Sequence, residues 1–399
     1  MPPHDAEDPE VARAADLLAV LGPVLPRLAS PALIVDLAAV DDNIAAILRR
    51  CPADRWRPHV KTLKSAALIR RLWSAGVTRC KCATLDELQL LLETAAEDAR
   101  EDSLDVLVAY PLHPGALRAV RRLCAAHPRA RVALLADSPD HAAALAAELA
   151  LAESADGPLR VHLDVDLGMA RTGSPPAAWS AAVARLAALP HLQIVGLHGY
   201  DGHLEWDQRA EAFAAYDVLC DLADDLTAAG LVDDDLELIT SGTHSFGAAL
   251  DHPRLAAGPW RHRISPGTVV LSDLRSGPAA AELGLVPAAL VLARVISRGD
   301  GRVTLDAGSK AIAPDRPAPS ARPLGWPGLV ARGASEEHLP LAHHSGALPD
   351  YGAPLLLIPD HVCTTVNLYR ECLVLRPGAP PARATIGAAG HRLFLEDPP

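Results

Sequence analysis

From about residue 31, short runs rich in Val, Ile and Leu alternate with longer stretches whose apolar positions recur with helical spacing. The strand candidates are ALIVDL (32–37), RWRPHVK (55–61), RCKCA (79–83), DVLVAY (105–110), RVALLA (131–136), RVHLDV (160–165), QIVGLH (193–198) and LELIT (236–240). Between them, segments such as Asp86–Ala95 and Pro139–Glu153 carry the helical period. Near-continuous apolar strands separated by helices mark parallel strands covered on both faces. Eight such strands before about residue 245 predict a closed (β/α)8 TIM barrel in preference to an open doubly wound sheet.

The pattern changes near residue 280. Pro287–Arg298 and Arg302–Ala307 read as two strands across a Gly-Asp-Gly turn, a hairpin signal. Pro354–Pro359, His361–Leu368 and Glu371–Leu375 are also strand-like, while 313–332, rich in Pro, Arg and Gly, reads as a long loop. The expected organisation is an α/β barrel over 30–275 followed by a C-terminal β-rich domain over 280–399, with residues 1–29 packed nearby.

Composition narrows the partners. The net charge of −12, with no basic stretch interleaved with aromatics, predicts no nucleic-acid and no anionic-membrane partner. Seven cysteines without regular spacing do not form a disulfide framework and point to a reducing compartment. The opening MPPHDAEDPE is acidic where a secretion signal is basic, and no apolar run reaches membrane-spanning length. A soluble, cytoplasmic location is expected.

In a barrel of this kind the chemistry gathers at the carboxyl ends of the strands. Those ends carry Pro58-His59-Val60-Lys61-Thr62, Cys82-Ala83-Thr84, Tyr110, Asp164, Asp166, Arg171, His198, Tyr200, Asp201, His203 and Ser241-Gly242-Thr243-His244-Ser245. Lysine is scarce, standing only at 61, 64, 81 and 310. Alone, a lysine at a strand end is most often a surface group with its stem packed below. On a rim this polar, Lys61 reads instead as a nucleophilic amine able to bond an aldehyde. Gly242 permits close backbone approach, and Thr243 and Ser245 supply donors, as a phosphate site after the last strands requires. Such a turn is also an ordinary helix cap. Taken together, Lys61 and this turn fit the two ends of pyridoxal 5'-phosphate (PLP).

His361-Val362-Cys363 is the second candidate. On a strand, residues i and i+2 share a face, so the imidazole and thiolate could hold one ion, and N/S ligation favours zinc. Two protein ligands leave coordination positions open for water or substrate; His338 is a candidate third ligand or proton relay. A buried Cys beside a hydrogen-bonded His is the ordinary alternative.

These residues resemble those of a known family. Arg57-Pro58-His59-Val60-Lys61-Thr62 with Lys64-Ser65, then Cys82-Ala83-Thr84, Asp164–Gly173, Gly196–His203 and Pro266-Gly267-Thr268, are similar to motifs of the D-threonine aldolase and D-serine dehydratase family. Asp306–Ala311, Ser335–His338 and His361–Leu368 extend the resemblance to about Val374. These are fold-type III PLP enzymes with an alanine-racemase-like barrel and a β domain. The resemblance implies that Lys61 carries PLP, that His59, Arg171, Tyr200, Gly242 and Thr243 surround it, and that His361 and Cys363 hold a divalent metal, zinc for a His-x-Cys pair. Leu63, where relatives repeat His, and His244, where Pro is common, depart from the pattern.

The implied reaction is retro-aldol cleavage of D-threonine or a related D-β-hydroxy amino acid to glycine and an aldehyde. His203 or metal-linked water would serve as the base at the β-hydroxyl. D-serine dehydration to pyruvate and ammonia uses the same parts and is the alternative, with a non-catalytic PLP-binding protein as a third reading. The segments DAGSKA, YDGHLE and HVCTTVNL favour the aldolase branch. A homodimer is the expected assembly.

Overall fold

The computed structural model describes residues 8–150, 157–189, 191–232, 235–393 and 395. The described residues form two compact units, drawn from 1–47, 62–71 and 268–390 in one and from 48–61, 72–267 and 391–399 in the other. Along the chain the strands begin with β1 (Ala32–Asp36). Seven short strands follow: β2 (Arg79–Cys82), β3 (Asp105–Val108), β4 (Arg131–Ala136), β5 (Leu159–Asp164), β6 (Leu192–Gly199), β7 (Glu237–Thr240) and β8 (Arg261–Ile264). The last group is β9 (Ala289–Gly299), β10 (Arg302–Leu305), β11 (Ala321–Pro323), β12 (Leu329–Ala331), β13 (Leu339–His343), β14 (Pro354–Pro359), β15 (Glu371–Arg376) and β16 (Ala379–Thr385).

β2 to β8 lie side by side in chain order, all parallel. Helices such as Leu85–Glu97 (N-capped by Thr84), Pro139–Ala150 and Pro176–Ala187 connect them. The expected helix end at 151–153 lies outside the described residues. An eighth element closes the ring. Segment 56–59 pairs with both outer strands, Trp56 with Ile264 of β8 and His59 with Lys81 of β2. The Arg57 amide donates to the Ile264 carbonyl at 2.9 Å and the Lys81 amide to Pro58 at 2.9 Å. Gly267 lets the chain pass here, because a Cβ at that position would stand 2.3 Å from the His59 carbonyl oxygen.

The barrel is therefore as expected in class, but one strand in the count is exchanged. ALIVDL (32–37) is not a barrel strand: β1 pairs with β9 and β15 in a separate mixed sheet. The missing barrel strand is β8, whose Arg-His-Arg-Ile has too few apolar residues to show in a hydrophobic pattern. The turn at Gly242 accordingly follows the seventh strand of the ring that starts at segment 56–59, not the last.

Closure is also electrostatic. The Arg57 guanidinium, 1% exposed, lies 2.9 Å from Asp105 of β3 and 3.0 Å from Glu237 of β7. A charge buried this deeply is tolerated only when paired in this way.

The other unit holds a nine-stranded mixed sheet in the order β12-β13-β10-β9-β1-β15-β16, with β14 on β9 and β11 on β14. The hairpin is found where Asp300-Gly301 joins β9 to β10, Gly301 having φ +61°. One core gathers Val291, Val295, Leu305, Trp326, Leu339 and Leu357. A second packs Ala14, Leu17 and Leu21 of helix Pro9–Leu21 with Ile34, Leu290 and Ile358. Two sequence expectations change here. The stretch 313–332 contains β11 and β12, and His361–Leu368 is not a strand but the lead-in to a short helix, Val362–Val366. Among the described residues, no helix is long and apolar enough to cross a membrane.

Candidate active site

The carboxyl ends of the barrel strands carry the polar residues the sequence placed there. Lys61 sits in the single turn Val60–Thr62 that ends the closing segment, and its side chain is exposed. Its amide donates to His59 Nδ1 at 3.3 Å, so the imidazole braces the turn. After β5, the Asp166 carboxylate accepts from the amides of Gly168 and Ala170, at 2.9 and 3.1 Å, and so shapes the loop that presents Arg171. Gly173 (φ +90°) is required there, since a Cβ would fall 2.9 Å from the Asp166 nitrogen.

Arg171 stacks on Tyr200, its guanidinium carbon 5.1 Å from the ring centre. Two glycines hold that ring. A Cβ on Gly202 would stand 2.3 Å from a Tyr200 ring carbon, and one on Gly242 would stand 3.2 Å from another. His203 is exposed, with Nε2 nearest the place a Cβ on Gly168 would occupy, at 3.7 Å.

The turn after β7 is internally braced. Ser241 adopts φ +66°. The Ser245 hydroxyl accepts from the Gly242 amide at 3.1 Å and donates to Asp201 at 2.7 Å. Tyr216 donates to the other Asp201 oxygen at 2.5 Å. Burial, the largest influence, raises the Asp201 carboxyl above its ordinary range. A hydroxyl has one proton to give, so Ser245 supports the turn and is not the outward donor its position suggested. Of the two departures, Leu63 is fully buried, and His244 lies 3.1 Å from Glu205.

Below this rim is a buried network that the sequence reading did not assemble. Asp164 pairs with His198 Nδ1 at 2.7 Å, His198 Nε2 lies 2.8 Å from Lys81 Nζ, and Lys81 donates to Ser265 Oγ at 3.0 Å. Lys81 faces Tyr200, 5.7 Å from its ring centre. Desolvation drives Lys81 down to about 7, and it drives His198 to about 4 with help from the Lys81 charge. The available signal was a lysine in the middle of an apolar strand, between Cys80 and Cys82.

In the other unit, His361 directs Nδ1 to Asp315 at 2.6 Å, and Thr364 donates to the same carboxylate at 2.9 Å. Cys363 Sγ is 3.0 Å from the Thr62 hydroxyl and 3.2 Å from that of Thr268. Its hydrogen bond to Cys363 is the main cause that lifts the His361 imidazole to about 9, which places ring and sulfur side by side. They meet because His361 precedes the first helical turn, not because a strand alternates. Exposed His338 joins no such group: among the described residues, no three His, Cys, Asp or Glu side chains gather as an ion site.

Both implied groups find matching chemistry. The buried Ser241 hydroxyl has no partner among the described atoms and adjoins the Gly242-Thr243 turn, as a waiting phosphate donor would. Together with an exposed amine, a guanidinium and a second hydroxyl, it suits a phosphorylated aldehyde. His361 Nε2 and Cys363 Sγ suit an open-coordinated zinc.

A parallel barrel of this topology accompanied by a mixed sheet defines an alanine-racemase-like protein. The chain matches the alanine racemase N-terminal domain over residues 35–255 and a serine dehydratase domain over 288–375. It is 29% identical to a D-threonine aldolase of an Arthrobacter species over 370 residues, covering 90% of this chain and 92% of that protein. It is 27% identical to a D-threo-3-hydroxyaspartate dehydratase of Delftia sp. strain HT23, covering 85% of this chain and 92% of that one. The crystal structure of D-threonine aldolase from Filomicrobium marinum superposes with a TM-score of 0.77 at 25% identity, covering 91% of this chain and 96% of that one. An alanine racemase of Bacillus anthracis shares the fold at 16% identity, with a TM-score of 0.65 and coverage of 90% and 98%. The chain belongs to the D-threonine aldolase and D-serine dehydratase family of fold-type III PLP enzymes, and it is a PLP-dependent lyase.

Proposed function

We propose that the enzyme cleaves D-threonine, or a related D-β-hydroxy amino acid, to glycine and an aldehyde with the help of a divalent metal, zinc. The observation that carries this reading is the pairing of His361 and Cys363 with Nδ1 of the imidazole taken by Asp315. A ring so oriented offers Nε2 to an ion, and the adjoining sulfur makes the donor set one that zinc prefers. The likeness to the Arthrobacter D-threonine aldolase supports the choice of reaction.

In this reading Lys61 carries the cofactor through its amine, and PLP supplies an electron sink at the substrate α-carbon. Thr243 and Ser241 hold the phosphate by their hydroxyls, and Gly242 lets it approach the backbone. Arg171 and Tyr200 fix the plane of the cofactor ring, with His59 bracing the Lys61 turn. His361 and Cys363 would hold the metal, whose Lewis acidity lowers the pKa of a β-hydroxyl. His203, free to reach solvent, takes the β-hydroxyl proton on an imidazole nitrogen. The reading includes a cytoplasmic homodimer with the cofactor on the barrel and the metal on residues 280–399.

Products decide between cleavage and dehydration. Given PLP and zinc, the protein should release glycine and acetaldehyde from D-threonine. Pyruvate and ammonia from D-serine, without aldehyde from D-threonine, would make it a dehydratase.

A further inference from the structure

Inside a parallel barrel the layers of inward side chains are normally bulky and apolar. At the amino-terminal ends of these strands they are not. Residues two positions further along fix the inward direction. Lys81 reaches His198 and Ser265, Ala133 packs with Leu107 and Ile239, and Arg263 pairs with Glu237. Side chains alternate along a strand, so Arg79, Arg131 and Arg261 open β2, β4 and β8 on that same inward face. With Arg160 of β5, Gln193 of β6 and Arg263 they line a cavity of about 280 Å³. Small-molecule sites begin at about this size.

Three carboxylates share the lining, and each is already taken. Asp105 accepts from Arg57 at 2.9 Å, Glu237 meets Arg57, Arg263 and His162, and Asp235 pairs with Arg261 at 2.6 Å. The remaining guanidiniums reach them loosely or not at all. Arg131 and Arg160 stop 3.5 and 3.9 Å from Asp105, and Nη1 of Arg160 is buried without a hydrogen-bond partner. The half-buried Arg79 guanidinium has no ion pair among the described residues. Five arginines against three carboxylates leave the lining with two positive charges in excess, in a chain of net charge −12. Burial, the largest influence, lowers the Arg263 guanidinium below its ordinary range, and the Arg79 and Arg57 charges add to this against Glu237. A barrel floor built only for stability pairs its charges and fills its space. This one leaves donors unpaired and space unfilled.

We propose that this cavity is a binding site for a small phosphate-bearing anion, gripped by Arg79, Arg131 and Arg160, at the end of the barrel strands opposite the Gly242 turn. Guanidinium forks match phosphate oxygens two at a time. A phosphate group carries a charge of about −1.5 to −2 at neutral pH, which answers the excess. The exposed Gln193 amide adds a neutral donor, and Ile194 and Val195 offer an apolar wall to a carbon body.

The test is calorimetric titration of PLP-loaded, chelator-treated protein with inorganic phosphate in about 0.15 M sodium chloride, where diffuse surface attraction is screened. Bound PLP fills its own phosphate turn and chelation removes any metal, so neither can hold the added anion. Saturable binding of one phosphate per chain is expected. Arg160→Gln and Arg79→Gln should each weaken it by about tenfold or more, with PLP absorbance retained. Absence of saturable binding, or wild-type affinity in both variants, overturns the proposal. Should Arg160→Gln fail to fold, Arg79→Gln decides alone, because it breaks no ion pair. Glycerol phosphate as a second titrant identifies the source of the group. Tighter binding than inorganic phosphate assigns the cavity to a phosphate monoester, equal or weaker binding assigns it to free phosphate, and either result supports the site.

Discussion

His361 Nδ1 lies 2.6 Å from the Asp315 carboxylate, which leaves Nε2 as the nitrogen an ion could take beside Cys363. Partners of this kind orient a ligating imidazole and typically contribute about 10–100-fold in metal affinity. Asp315→Ala should weaken zinc binding by about that factor in competition with a chelating dye, while PLP absorbance stays unchanged. Cys363→Ala should also retain PLP but lose all metal-dependent turnover. Wild-type zinc affinity in Asp315→Ala would remove the carboxylate from the account.

Gly202 is the tightest constraint on the Tyr200 ring. Alanine there would place a Cβ 2.3 Å from a ring carbon, so the ring must leave its stack with Arg171. Forced displacement of this sort costs about 1–3 kcal/mol. Gly202→Ala should therefore lose about tenfold or more in PLP affinity, measured by spectroscopic titration, with a modest fall in Tm. Wild-type affinity would show that the ring does not orient the cofactor.

The Arg57 pair makes barrel stability sensitive to acid. Burial alone would raise Asp105 and Glu237, but the Arg57 charge, with Arg160 at Asp105 and His162 and Arg263 at Glu237, outweighs it and holds both carboxyls below their ordinary range. A depressed carboxyl contributes stability above its unfolded value of about 4 and loses that contribution as pH falls through the folded value. Urea midpoints should decline as pH drops below about 4. Arg57→Ala should cost about 3–5 kcal/mol at neutral pH and flatten that decline. A steep decline retained in Arg57→Ala would point to other carboxyls.

Much of the barrel is legible because its parallel strands are apolar on both faces, as DVLVAY and RVALLA are. β8 is not, because three of its four residues are Arg or His, and β1 misleads because it is equally apolar in a different sheet. The rim is legible from motif and position: Lys61, Arg171 and Tyr200 fall at strand ends. The bracing below it is not, since Lys81, His198, Asp164 and Ser265 come from four separate places and only the closed ring brings them together. Spacing pointed to His361 and Cys363 as neighbours on a strand, whereas the chain turns into a helix there.

Borohydride reduction of the PLP-bound protein, followed by peptide mass spectrometry, tests the central claim most directly. With lysines only at 61, 64, 81 and 310, every outcome is assignable. The pyridoxyl group is expected on Lys61 alone. Label on Lys64, Lys81 or Lys310, or on no lysine, would contradict the assignment of Lys61 as the cofactor-bearing residue.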